Sequence, residues 1–197
     1  MTDAEIVGCL AFLRNAERLK DTLRSGHTAS GRQESTAEHS WRLCLFAVLL
    51  GDALPGLDAA RLLRICLVHD LAEALTGDIP APAKAASPDK SAAERAAMLA
   101  LTEPLPAAAR AEILGLWEEY EATTTREARL AKGLDKLETI LQHSQGRNPP
   151  GFDLAYNLDY GRAETAVEPL LARLRESLDA ATRARIAEDA LSPPGNP

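Results

Sequence analysis

Aromatic residues are scarce, only 4% of the 197 residues against 46% hydrophobic overall, so Ala and Leu carry much of the apolar content. That balance favours helix over sheet. Cysteine is sparse too. Cys9, Cys44 and Cys66 are odd in number and lack C-x-x-C spacing, which argues against a disulfide framework or a thiolate zinc site and suits reduced thiols in the cytoplasm. No long hydrophobic run exists. The longest, Leu43 to Leu50, is far too short to span a bilayer, so no membrane partner is expected. The acidic start, Met1-Thr2-Asp3-Ala4-Glu5, does not read as a signal peptide. Positive charge is in deficit. A formal net charge of −7, with no basic run, excludes a nucleic-acid polymer as partner, although one or two local Arg or Lys could still hold a mononucleotide.

What remains is helical. We expect an all-α bundle of about six to eight helices, with residues 1–185 as one domain and 186–197, ending in Ser192-Pro193-Pro194-Gly195-Asn196-Pro197, as a disordered tail. A first amphipathic helix is predicted from Asp3 to about Leu23, with Ile6, Leu10, Leu13 and Leu19 inward. A polar loop follows, from His27 to Glu34. Ser35-Thr36-Ala37-Glu38 is a capping box that opens a second helix, on which His39 shares a stripe with Leu43, Phe46 and Leu50. A third helix is predicted from Leu57 to Leu75, ended by Thr76-Gly77 and kept from restarting by Pro80 and Pro82. Further helices cover about Ser91–Leu101, Ala107–Ala122, a stretch opened by a capping box at Thr124-Thr125-Arg126-Glu127 and reaching Gln145, and Ala163–Arg183 with Val167, Leu170, Leu171 and Leu174 inward. No stretch alternates convincingly enough for a strand.

The third helix carries ionisable residues where Leu or Ala would be expected. In Leu67-Val68-His69-Asp70-Leu71-Ala72-Glu73, the residues His69, Asp70 and Glu73 share one side. Burying them costs several kcal/mol unless they are paired or bind metal. A lone inward His39 would read as a satisfied core histidine, but it is not alone. Asp135 lies beside Ala128 and Ala131, small residues that let a helix or a metal approach; by itself it reads as a surface acid paired with Lys132 or Lys136. Together His39, His69, Asp70 and Asp135 form a mixed N/O set from three helices. Such a set suits one divalent Mn²⁺, Co²⁺, Fe²⁺, Ni²⁺ or Mg²⁺ and leaves positions open for water and a substrate oxygen. A metal there would activate water and polarise a phosphoryl oxygen. Glu73 is the first candidate to orient that water, and Asp78, just past the helix, the second. Arg24 is the first choice for substrate phosphate because its fork matches phosphate oxygens, with Lys84 behind it. Trp117-Glu118-Glu119-Tyr120-Glu121 reads either as a solvated acidic face with two aromatic anchors or as the mouth of the site.

These residues carry a resemblance. Glu34-Ser35-Thr36-Ala37-Glu38-His39-Ser40-Trp41-Arg42, Leu67 to Glu73, Thr76-Gly77-Asp78-Ile79-Pro80, Leu116 to Glu121 and Leu134-Asp135-Lys136 stand in the order found in HD-domain metal-dependent phosphohydrolases, and the chain resembles their 5′-deoxynucleotidase group. The resemblance implies an HD-domain helical bundle that holds one divalent metal through His39, His69, Asp70 and Asp135. It implies hydrolysis of deoxynucleoside 5′-monophosphates, with Glu73 acting on water, Arg24 on phosphate and Asp78 against the sugar, where a 2′-hydroxyl would be disfavoured. It also implies a cytoplasmic homodimer. Related sequences tend to carry a Trp shortly after the Arg matching Arg24. Here the stretch reads Arg24-Ser25-Gly26-His27, and His27 is the residue left to stack on substrate or hydrogen-bond to it. Two other readings stay open: a phosphohydrolase acting on a cyclic nucleotide, a triphosphate or a non-nucleotide phosphate, and a non-catalytic metal- or nucleotide-binding module.

Overall fold

Apolar residues at helical spacing recur through nearly the whole chain, and the fold is all-α. The computed structural model describes residues 1–51, 53–79 and 90–191. Helix α1 spans Asp3–Ala16 and runs on through a 3-10 turn, Glu17–Lys20. Strands β1 (Leu23–His27) and β2 (Gln33–Ser35) form a small antiparallel ribbon where a loop was expected. Apart from an exposed Leu23 they carry no large apolar side chain, so the ribbon is set by its pairing and not by an apolar face. The ribbon feeds α2 (Thr36–Gly51), then α3 (Ala59–Val68) and the single turn α4 (Glu73–Thr76). After the undescribed segment come α5 (Lys90–Leu101), α6 (Ala107–Ala122), α7 (Arg126–Gln145), the short α8 (Arg162–Thr165) and α9 (Pro169–Leu191).

Helix α7 is the central post. It packs on α2, α3, α6 and α9. Leu130, Leu134, Leu137 and Ile140 on it are fully buried, as are Leu43, Leu62, Ile65 and Leu171 from its neighbours. A Cβ on Gly133 would lie 2.7 Å from the Glu164 carbonyl oxygen, so only glycine lets α8 and α9 sit this close. No helix among the described residues is long and apolar enough to cross a membrane.

Several expectations need correction. Ile6, Leu10 and Leu13 face outward, because α1 docks through Gly8 and Phe12 instead; a Cβ on Gly8 would meet the Pro104 carbonyl at 2.0 Å. The third helix is broken. Asp58 caps its start, accepting from the Arg61 amide at 2.9 Å, and residues 69–72 form tight i→i+3 turns before α4. Thr125, not Thr124, caps α7, and Glu127 reaches across to accept from the Asp58 amide. The last helix starts at Pro169, where a missing N–H costs nothing, and continues to Leu191, past the expected tail boundary at residue 186. Val167 lies outside it and is exposed. Ser192–Pro197 and Pro80–Asp89, with Lys84 among them, lie outside the described residues.

Candidate active site

The capping box sets the first ligand. The Ser35 amide donates to Glu38 Oε2 at 2.9 Å and the Glu38 amide to Ser35 Oγ at 3.3 Å, so α2 begins where the sequence indicates. His39 then falls in its first turn and is fully buried. His69 and Asp70 follow the end of α3. Asp135 comes from the middle of α7. His39 Nε2 lies 3.3 Å from His69 Nε2, 3.2 Å from Asp135 Oδ1 and 3.7 Å from Asp70 Oδ2, while His69 Nε2 lies 3.0 Å from Asp70 Oδ2. The donor atoms of His39, His69 and Asp70 all fall within 4.8 Å of one another, and Asp135 joins them from the side of His39.

The remaining atoms of these ligands are tied back. His69 Nδ1 faces the Cys66 carbonyl at 2.9 Å, an acceptor only, so Nδ1 carries its proton and Nε2 is bare when the ring is neutral. His39 Nδ1 contacts the Glu138 carboxylate, which Arg42 Nε also reaches, at 2.6 Å. Asp135 Oδ2 accepts from Tyr120 Oη at 3.1 Å and Lys136 Nζ at 2.8 Å, which leaves Oδ1 for the centre. Two imidazole lone pairs and two carboxylate oxygens thus point at one another. Such a centre repels itself unless a cation or a proton sits in it, and the donor set fits a divalent ion of the borderline or hard class. Without metal, the proton takes that place. Burial and Arg24 push the His39 pKa down, yet Glu138 and Asp135 outweigh them and raise it to about 10. A second trio, Glu34, His39 and Glu138, is as close, but Arg24 and Arg42 already stand beside its carboxylates and supply the charge a cation would bring.

The centre opens into a cavity of about 400 Å³, lined by Arg24, Glu73, Trp117, Tyr120, Lys136 and Tyr160 besides His69, Asp70 and Asp135, with His39 buried behind them. Arg24 Nη1 donates to Asp70 Oδ2 at 3.3 Å and Nη2 to Thr139 Oγ1 at 3.2 Å. Burial works against its charge, but Asp70, Asp135 and Asp78 outweigh it. Glu73 is buried at the start of α4, with the Thr36 hydroxyl 3.1 Å from its Oε2. Asp78 sits half-buried just past Gly77, whose φ of +74° ends α4. The aromatic pair of the acidic stretch belongs to the site: Trp117 and Tyr120 are buried against the cavity, while Glu119 turns away to pair with Arg61.

His27 is not brought to the cavity. It ends β1 three residues beyond Arg24, across an irregularity in the pairing with β2, and does not line the cavity. Its ring packs edge-on against Phe152, 6.5 Å between centroids. Sequence reasoning did not find Glu138 and Arg42. Glu138 stands one turn after Asp135 on the same face of α7, a spacing that could have flagged it.

The HD-domain family profile matches residues 16–175. The chain is 37% identical over 149 residues to mouse 5′-deoxynucleotidase HDDC2, covering 73% of this chain and 74% of that protein. It is 35% identical over 190 residues to the bovine protein of that name, covering 93% and 90%. Among solved structures, a predicted metal-dependent phosphohydrolase from Magnetospirillum magnetotacticum superposes with a TM-score of 0.74 at 28% identity, covering 97% of this chain and 100% of that one.

Proposed function

Because this chain belongs to the HD-domain family, we propose that it is a metal-dependent 5′-deoxynucleotidase that converts deoxynucleoside 5′-monophosphates to deoxynucleoside and phosphate. One observation carries this reading. His39, His69, Asp70 and Asp135 converge at the wall of a cavity that also presents a guanidinium, Arg24, and a buried carboxylate, Glu73.

One divalent ion, Co²⁺, Mn²⁺, Mg²⁺, Fe²⁺ or Ni²⁺, held by those four side chains would supply Lewis acidity toward a phosphoryl oxygen and activate water for attack. Arg24 holds the phosphate in place, its fork matched to two oxygens. Glu73 accepts the proton of the attacking water as the P–O5′ bond breaks, and a proton returns to the departing 5′-oxygen. The Thr36 hydroxyl keeps one Glu73 oxygen fixed and so aims the other. Asp78 lies toward the sugar and disfavours a ribose 2′-hydroxyl. Lys84 is a further phosphate contact in this reading. His27 is at most an indirect support of the ribbon that carries Arg24.

The chain acts as one domain that takes in α9 as far as Leu191, and the active species is a homodimer in the cytoplasm. Two features support this. Trp41, Leu45, Val48 and Leu49 leave an exposed apolar stripe along α2, and all three cysteines are free.

The test is phosphate release from deoxy- and ribonucleoside 5′-monophosphates by metal-stripped protein reloaded with Co²⁺, Mn²⁺ or Mg²⁺. Selective release from the deoxy forms is expected. Silence across the panel with metal demonstrably bound overturns the reading and favours another phosphoester or a regulatory module.

A further inference from the structure

The two histidines of the centre are oriented by different means. For His69 the partner is main chain: the Cys66 carbonyl, 2.9 Å from Nδ1, can only accept. For His39 the partner is a side chain, Glu138, whose residue is itself fully buried. Arg42 Nε donates to Glu138 Oε1 at 2.6 Å, so the carboxylate turns its other oxygen, Oε2, to His39 Nδ1. Neither the Glu138 carboxylate nor the His39 ring reaches solvent.

We propose that Glu138 is a positioning residue for the metal centre, which holds His39 with its proton on Nδ1 and its Nε2 lone pair toward His69, Asp70 and Asp135. The proposal rests on the reading of His39 as a ligand. Two tautomers compete. If Nδ1 lacked an acceptor, the proton could sit on Nε2 and be donated to Asp135 Oδ1, 3.2 Å away, and the same nitrogen could then not ligate. A buried carboxylate at Nδ1 selects the ligating form and raises the basicity of the ring. Arg42 holds the carboxylate rather than the ring, so it acts one step further out. A role for Glu138 as mere counter-ion to Arg42 does not account for the geometry, because Arg42 is partly exposed and also has Glu34 within 3.9 Å.

The experiment titrates Mn²⁺ into chelator-stripped wild type, Glu138→Gln and Arg42→Gln by calorimetry, with thermal melts of each metal-free protein alongside. A glutamine amide keeps the size of the carboxylate but can present N–H to Nδ1, which favours the wrong tautomer. Affinity in Glu138→Gln is expected to fall 10- to 100-fold, with a smaller loss in Arg42→Gln. At saturating metal, KM stays close to wild type. Unchanged Mn²⁺ affinity in folded Glu138→Gln, or equal losses in both variants, overturns the proposal. A wild type that binds no Mn²⁺ overturns the ligand reading instead. Should Glu138→Gln not fold, ¹⁵N spectra of wild type loaded with diamagnetic Zn²⁺ decide: the proposal requires a protonated Nδ1 on His39, and coordination through Nδ1 overturns it.

Discussion

The hydroxyl of Thr36 stands 3.1 Å from Oε2 of Glu73, joining the first residue of α2 to the first residue of α4. Both side chains are buried, and Glu73 borders the cavity. A carboxylate aimed in this way suits proton transfer better than metal binding, since His39, His69, Asp70 and Asp135 already converge without it. Glu73→Gln is therefore expected to bind metal like wild type and to lose about 10²- to 10⁴-fold in kcat, the range typical of general acid–base catalysis. Thr36→Val leaves the carboxylate in place but removes this one contact to it, so it should lose less. Metal content and single-turnover rates measured side by side check this; a Glu73→Gln enzyme with full kcat would contradict the role.

Metal and activity should disappear together when the centre itself is cut. Asp70 is the ligand with most at stake. Burial alone would raise its pKa, but His69, Arg24 and His39 hold its carboxyl well below the usual range. Asp70→Ala removes a donor atom and also strips Arg24 of a partner at 3.3 Å. His39→Ala and Asp70→Ala are expected to retain no stoichiometric Mn²⁺ after gel filtration and no phosphate release above background. Elemental analysis and the release assay read both; either variant with full metal and full turnover would remove that residue from the ligand set.

Where local physics ruled, the sequence was legible. Ser35 and Glu38 name the start of α2 because a capping box satisfies two amides at once, and a left-handed Gly77 marks the end of α4. His69 and Asp70 stood out because charge at buried helix positions is costly. The misreadings come from tertiary packing. The aliphatic stripe of α1 is stronger on paper than the Gly8–Phe12 face, yet close approach to Pro104 chose the latter. The third helix reads as continuous because its composition is helical throughout; the tight turns at residues 69–72 become visible only in the hydrogen bonds. Glu138 is one of 29 acids in the sequence. Its spacing of one turn from Asp135 is the one local mark it carries, and its meaning comes from His39, 99 positions away in the chain.

Glu34 gives the metal-free protein a pH signature. Burial, then the neighbouring Glu138 charge, pushes its pKa up to about 7, against the help of His39, Arg24 and Arg42. The folded state therefore binds a proton at Glu34 that the unfolded chain releases near pH 4.5. The stability from this group is fully present below the unfolded value, and it is lost as pH rises through about 7. Glu34→Gln, which stays neutral, should melt close to wild type at pH 5 and higher than wild type at pH 8. Thermal melts of both proteins in chelator across that range test it; parallel pH profiles would contradict it.

Arg24 is already in use before any substrate arrives. Its guanidinium touches Asp70 and Thr139, and its Nε lies 3.7 Å from Glu34. Those contacts hold the fork rigid at the cavity wall, so little rotamer freedom remains to be lost when a phosphate binds. Lysine would keep the charge but present a single rotatable ammonium in place of a planar fork, and it would leave Asp70 or Thr139 without a partner. Arg24→Lys should therefore raise KM for a deoxynucleoside monophosphate by about tenfold or more, equivalent to about 1.4 kcal/mol, and weaken inhibition by inorganic phosphate to a similar degree. Arg24→Ala should do more and should also loosen Asp70, so its metal affinity falls as well. Steady-state kinetics at saturating metal, with phosphate as a competitive inhibitor, separate the two effects. Equal KM and equal phosphate inhibition in wild type and Arg24→Lys would mean that the substrate's charge is met elsewhere in the cavity, whose wall also carries Lys90, Lys132 and Lys136.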